Sequence, residues 1–233
     1  MIDGILDFLF PRRSLTDGEG EFVTPDELRA LQCAPVILTE AQLRSQGLLF
    51  IDRITACAEY DRVPLLHRAI HLFKYRKVRG VGEVLGGMLV RTSGLLSIPS
   101  PLRPSPAAAG EGDCPTLCPV PLHWVRRFSR GFNQAEILAR IVGRERGWEV
   151  CSLLKRKKWT GSQVGRRRKE RMKGVRDAFE VKNGLGTGTG LGTLDHVILV
   201  DDLSTTGATL DACAKALKKS GVKKVEGLVI ALG

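Results

Sequence analysis

The chain of 233 residues has no C-x-x-C pair, no apolar run of bilayer length and no basic leader. Each absence excludes something. A structural zinc site needs four ligands, usually in two close pairs. Six cysteines are present, at positions 33, 57, 114, 118, 151 and 213, and only Cys114 and Cys118 lie close together, flanked by Pro115 and Pro119. Zinc is therefore not expected, and the cysteines read as reduced thiols, some of them buried. A transmembrane helix needs about 20 consecutive apolar residues. None is found, so no membrane insertion is expected. A secretory signal opens with basic residues, whereas Met1 to Phe10 carries two aspartates and none. The expected location is the cytoplasm.

What is present is a globular composition with a basic excess. The chain is 43% hydrophobic and 26% charged, with 36 Lys and Arg against 25 Asp and Glu, a net charge of +11. That balance favours anionic partners such as nucleotides, diphosphates, nucleic acid or acidic protein. Much of the excess is local. From Lys155 to Lys182 inclusive stand Lys157, Lys158, Arg166, Arg167, Arg168 and seven more cations, opposed only by Glu170, Asp177 and Glu180.

The elements follow from periodicity and punctuation. Ile2 to Phe10 predicts a short helix and Pro11 to Thr24 a loop. Thr24-Pro25-Asp26-Glu27 has an N-cap, a proline at the first helical position and an acidic first turn, and predicts a helix from Pro25 to about Gln32. From Leu65 to Leu96 the apolar residues recur at helical spacing, predicting two helices broken near Val78 to Val81. Ser97 to Asp113, rich in Pro, Ala and Gly, reads as a surface loop. The second half alternates. Strands are predicted at Cys118 to Leu122, Glu149 to Leu154, Ala178 to Val181, His196 to Val200 and Val225 to Ala231. Helices are predicted at Asn133 to Arg146 and at Thr206 to Ser220, the latter stopped by Gly221. Strands alternating with helices predict an α/β fold with a mostly parallel sheet covered on both faces. The glycines of Gly184 to Gly192 precede a strand, whereas a dinucleotide fingerprint follows one, so they read as a linker or hairpin.

One stretch carries chemistry by itself. In Val197 to Leu210, V-I-L-V-D-D-L-S-T-T-G-A-T-L, four apolar residues lead into Asp201 and Asp202, a turn of small residues and then a helix. Open α/β sheets bind ligands at the C-terminal ends of their strands. Unpaired N–H groups and the dipole at a helix start favour an anion, and the Ser and Thr hydroxyls add donors. The carboxylates suit vicinal hydroxyls or a magnesium ion beside a phosphate. Taken apart, the acids could be a cap and the hydroxyls a turn. Together they predict a site for a ribose 5-phosphate.

This stretch resembles the 5-phosphoribosyl-1-pyrophosphate (PRPP) signature of type I phosphoribosyltransferases. The resemblance implies that Asp201 and Asp202 hold the ribose and serve catalysis, and that Ser204, Thr205, Thr206, Gly207, Ala208 and Thr209 hold the 5-phosphate. A second run joins Pro119-Val120-Pro121 to Leu122, His123, Arg126, Arg130 and Asn133, and its arginines suit bidentate contacts to a diphosphate. With Arg130-Gly131-Phe132-Asn133-Gln134, it is similar to the ComF family of competence proteins. A third run, Leu153 to Arg156 through Thr160, Ser162 and Gln163 to Phe179, looks like that family's mobile loop and following strand. Ile5 to Pro11 and His67 to Tyr75 also fit.

The resemblance implies a type I phosphoribosyltransferase fold with a small N-terminal appendage. Residues 1–64 would be a degenerate or lost zinc ribbon, or a hood, and residues 65–233 the transferase domain. It further implies PRPP with magnesium, a link to DNA uptake, and transfer of a phosphoribosyl group to an acceptor the sequence does not name. The chain departs from the family's zinc ribbon, with Ser14 and Asp17 where a first cysteine pair would lie. For the basic loop three readings stay open. It closes over diphosphate; or it binds single-stranded DNA through Lys157, Lys158, Arg166 to Arg168 and a stacking Trp159; or it is a solvated basic segment. A sensor of PRPP without turnover, and contacts with a competence helicase or DNA-processing proteins, are further expectations.

Overall fold

A computed structural model describes residues 14–16, 23–75, 79–96, 98, 114–122, 131–156, 177–182 and 194–233. Its elements in chain order are α1 (Pro25–Ala30), β1 (Val36–Leu38), α2 (Glu40–Ser45), β2 (Arg53–Glu59), a 3-10 turn (Tyr60–Arg62), α3 (Pro64–Tyr75), α4 (Arg79–Ser93), β3 (Thr116–Pro119), α5 (Gln134–Arg146), β4 (Leu154–Arg156), β5 (Phe179–Val181), β6 (His196–Ser204), α6 (Ala208–Lys219) and β7 (Lys224–Leu232). The main sheet has the order β1-β2-β7-β6-β3. β2, β7, β6 and β3 run parallel, and only the edge strand β1 is antiparallel. The α/β class with a mostly parallel sheet flanked by helices is thus observed.

Alternation within the strands explains why both faces are covered. Ile198 and Val200 of β6 join Leu228 and Ile230 of β7 under α3, α4 and α5, which supply Leu66, Phe73, Leu85, Leu89, Leu138 and Val142. Val197 and Leu199 face the other way with Val225 and Val229, against Leu210, Cys213 and Leu217 of α6 and Leu154 and Phe179 of a two-stranded hairpin. A central parallel strand therefore reads as a continuous apolar run, because each successive residue finds a different core. Each fully buried aliphatic or aromatic side chain contributes about 1.5–3 kcal/mol.

Several expectations need correction. β6 continues past Val200 to Ser204, so Asp201 and Asp202 lie inside the strand, held by pairing of Asp201, Leu203 and Ser204 with Val229, Ala231 and Leu232. α6 starts at Ala208, because Gly207 at its N-cap is left-handed, with φ of 70°. Val81 is buried inside α4, so the helix break lies earlier. The strand predicted at Cys118 starts at Thr116, paired with Val197. The single strand predicted from Glu149 to Leu154 is two things. Val150 makes one parallel bridge to Leu117, and Leu154–Arg156 pairs with Phe179–Val181 away from the main sheet.

The division at 64/65 does not separate two sheets, since β1 and β2 from the first part are strands of the main one. Neither was expected. The helix predicted at residues 2–10, the glycine run at 184–192 and most of the loop at 97–113 fall outside the described residues.

Candidate functional site

Parallel pairing brings the C-terminal ends of β2, β7, β6 and β3 to one edge of the sheet. The second half of β6 sits there. Asp202 is 7% exposed and Asp201 half-buried. The Asp202 N–H donates to Asp201 Oδ1 at 2.9 Å, which fixes the first carboxylate against the backbone of the second. Ser204 is buried, and its carbonyl accepts from the Gly233 N–H at 3.0 Å. Thr205 and Thr206 then turn outward and are exposed.

Gly207 makes the turn possible. Its φ of 70° is a region that L residues adopt at a cost, and a Cβ there would stand 2.5 Å from Leu48 Cδ1. Any larger residue must move Leu48 as well as strain the backbone. The chain then enters α6, twelve residues long, whose start is the positive end of the helix dipole. Asp211 in its first turn is buried, and its Oδ1 accepts the N–H groups of Phe50 (2.6 Å) and Ile51 (3.0 Å). That carboxylate pins the segment before β2 to α6, so it is structural.

The second predicted run lies beside the first because β3 pairs with β6. The Val120 N–H donates to the Val200 carbonyl at 2.9 Å. Asn133 Nδ2 donates to the Val120 carbonyl at 3.1 Å, and Asn133 is the N-cap of α5. Its Oδ1 is buried without a hydrogen-bond partner among the described residues. Leu122 is half-buried at the same end. His123, Arg126 and Arg130, the loop residues Thr160, Ser162 and Gln163, and the nucleic-acid candidates Lys157, Lys158, Trp159, Arg166, Arg167 and Arg168 lie outside the described residues. The hairpin that carries that loop is described. Arg156 sits over the Phe179 ring at 5.3 Å, and Lys155 pairs with Glu180 at 3.3 Å.

Sequence reasoning missed Lys74. Its ammonium lies 3.1 Å from Asp202 Oδ1, with side-chain exposures of 16% and 9%. Its carbonyl accepts from Gln134 Nε2 at 3.4 Å. The end of α3, the start of α5 and the acid pair of β6 thereby meet. A lysine directly after the buried Phe73, inside an apolar helix stripe, was the signal available. The second acid is thus neutralised by a resident cation, while the polar turn beyond it stays open.

The donor set bears on metals. Among the described residues no group of three His, Cys, Asp or Glu side chains is placed to hold an ion. The acid pair alone offers two carboxylates, one of them taken up by Lys74. The cysteines are scattered: Cys57, Cys118 and Cys213 are buried, Cys33 and Cys151 half-buried, Cys114 exposed, all as free thiols. Burial pushes the Cys57 and Cys118 thiols up to about 12, which leaves them protonated and inert. Among the described residues no helix is long and apolar enough to cross a membrane.

Fold and site define an α/β protein with an acid pair and a hydroxyl-bearing turn on the C-terminal edge of a mostly parallel sheet. No family model matches the chain. Competence protein F of Haemophilus influenzae is 34% identical over 114 residues, 47% of either chain. Competence protein ComFC of Bacillus subtilis is 35% identical over 105 residues, 45% of this chain and 39% of that one. DNA utilization protein YhgH of Escherichia coli is 25% identical over 186 residues, 75% of this chain and 70% of its own. Over about half of its length the chain is similar to ComF-type competence proteins. Its alignments span less than half the length of the competence proteins themselves. A solved structure of the allosteric regulatory enzyme of purine biosynthesis superposes with a TM-score of 0.36 and 18% identity, over 64% of this chain and 26% of that one. That likeness is too loose to carry an argument.

Proposed function

We propose that the chain binds PRPP at the C-terminal edge of its sheet and acts in DNA uptake, as a cytoplasmic protein of the ComF type. The observation that carries this reading is the β6–turn–α6 segment. Two adjacent carboxylates, Asp201 and Asp202, would serve a sugar's vicinal hydroxyls. Three residues further on, a hydroxyl-bearing turn with a left-handed glycine opens onto a helix start. A pentose 5-phosphate has that shape: vicinal hydroxyls at one end and a dianion at the other. Diphosphate would extend toward Asn133 and the arginines that precede it.

Magnesium would arrive with the diphosphate oxygens rather than be held by a cage of side chains, because the acid pair is short of ligands. Bound there, it would neutralise the leaving group. The chain's own part would be to orient the sugar and shield the charge that develops at its C1. No described side chain is placed as an evident general base, so turnover depends on an acceptor that supplies its own nucleophile.

Isothermal titration of the full chain with PRPP, with and without magnesium, tests the reading. Saturable binding is expected, lost when Asp201 and Asp202 are both changed to Asn. No binding by the wild type, or unchanged binding by the double variant, would sink it. A screen of bases, amines and nucleic acids for diphosphate release then separates a transferase from a sensor.

A second reading has its own observation. Relatives named for competence and DNA utilization accompany a segment, Lys155 to Lys182, dense in Lys and Arg around Trp159. Binding of single-stranded DNA there should weaken steeply with salt, because phosphate contacts release counterions. Changing Arg166, Arg167 and Arg168 to Ala should weaken it further. A flat salt response in fluorescence anisotropy would count against it. Partner proteins of DNA processing, including a helicase, would be tested by the same segment's removal.

A further inference from the structure

Helix α3 runs along the edge that carries the site, and it touches that edge at both ends. At one end Lys74 reaches Asp202. At the other, His67 stacks on Tyr60 with ring centroids 3.8 Å apart. His67 Nε2 lies 2.5 Å from the Tyr60 carbonyl, so that nitrogen carries the proton and donates. Tyr60 in turn borders the turn. A methyl group on Gly233 would stand 3.4 Å from Tyr60 Cβ and 3.9 Å from Thr205 Cγ2.

The lengths match. His67 and Lys74 are seven residues apart, about 10 Å along a helix. Asp202 and Thr205 are three residues apart, about 10 Å along an extended chain. His71 lies between, one turn from each, on the same stripe of α3 as both. It is exposed.

Charge gives this stripe a purpose. Two adjacent carboxylates repel an incoming diphosphate, and a partly desolvated edge screens that repulsion less than bulk water does. Lys74 cancels one of those charges before any ligand arrives. An ammonium at that place also faces whatever anion the sugar bears at C1.

We propose that the stripe His67–His71–Lys74 is a third wall of the sugar-phosphate site, with His71 and Lys74 as direct contacts to a pentose 5-phosphate that carries an anionic group at C1. His67 is a positioning residue that locks the helix to Tyr60. This rests on the reading of the edge as a PRPP site.

The test is calorimetric titration of the full chain with PRPP and magnesium, and separately with ribose 5-phosphate. A hydrogen bond to a charged group is worth enough that His71→Gln should bind PRPP about tenfold more weakly. Lys74→Met should lose about tenfold or more for PRPP and less for ribose 5-phosphate, which lacks the C1 anion. Arg68→Ala, on α3 but off the stripe, should stay within about twofold, as rim charges do. If wild type binds and the Asp201/Asp202 variant does not, yet His71→Gln and Lys74→Met match wild type, this inference falls and the PRPP reading stands. If wild type binds neither ligand, both fall. Should Lys74→Met lose its cooperative melt, Lys74→Arg and the exposed His71→Gln decide the matter.

Discussion

At the end of the sheet where β6 and β7 begin, Glu226 is fully buried. His196 Nε2 lies 2.8 Å from its Oε2 and Lys224 Nζ 3.6 Å, and Arg53 is its neighbour in register on β2. Beside it, Asp52 accepts from Lys218 Nζ at 2.6 Å and from the Val225 N–H at 2.8 Å. At the end where the same strands finish, Asp202 has one ammonium at 3.1 Å and Asp201 is half-buried, next to a turn whose threonines point outward. One end surrounds its carboxylates with cations and amides from several elements. The other sets its carboxylates beside an exposed turn that bears hydroxyls. Acidic residues alone therefore say little about function. Their surroundings separate a fastening from the edge proposed here to bind a ligand.

The sharpest way to break this contrast is Glu226→Ala. Removing one member of a buried charged group leaves the others unpaired, which costs about 3–5 kcal/mol. Urea unfolding should shift by that amount, while the folded fraction binds PRPP with unchanged affinity. An affinity that falls in step with stability would mean that the two ends are not independent.

The Asp201→Asn, Asp202→Asn pair should do the reverse. Affinity for PRPP is expected to fall by at least about 100-fold, about 2.7 kcal/mol or more, so that titration shows no saturation, with a urea midpoint close to wild type. A large loss of stability instead would place this pair with the fastenings.

Gly207→Ala should do both at lower amplitude. Left-handed backbone for a non-glycine costs about 1–2 kcal/mol, and the added methyl meets Leu48 Cδ1 at 2.5 Å. The melt should drop accordingly, and binding should weaken because the turn shifts. An unaltered melt would show that Leu48 and the turn yield easily.

The proposed binding end was the more legible of the two, for a physical reason. β6, the turn and α6 are consecutive, so strand periodicity, small residues and a helix start announce it within fourteen positions. The partners were less so. Lys74 meets Asp202 only because α3 folds over the edge, and nothing near Lys74 in sequence names an acid. β2 escaped because Arg53-Ile54-Thr55-Ala56-Cys57-Ala58-Glu59 has no run of large β-branched residues. It is buried because β7 lies beside it, and small residues suffice under α4. The reach of β6 beyond Val200 was hidden for a related reason. Two aspartates look like a strand's end, yet main-chain pairing with β7 carries the strand through them.

The smallest expected effect is at a third fastening, on α1. Glu27 of α1 is buried. Its Oε1 accepts the Thr16 N–H at 2.7 Å and the Thr16 hydroxyl at 2.6 Å, and its Oε2 accepts the Thr24 N–H at 2.8 Å. Those bonds hold the segment that places Leu15 fully inside the core. Burial by itself raises the carboxyl's pKa, but the Thr16 hydroxyl, the Thr24 amide and the Ser14 hydroxyl outweigh it, and the pKa falls from 4.5 to about 2. A folded pKa below the unfolded one gives stability that is complete above 4.5 and disappears as pH falls toward 2. Glu27→Gln keeps the shape and loses the charge, so at neutral pH it should cost about 1 kcal/mol. Acidification should bring the two proteins together, because the wild type then loses its charge as well. Urea melts of both at neutral pH and below pH 3 measure the gap. A gap that stays constant with pH would mean that shape, and not charge, fastens this segment.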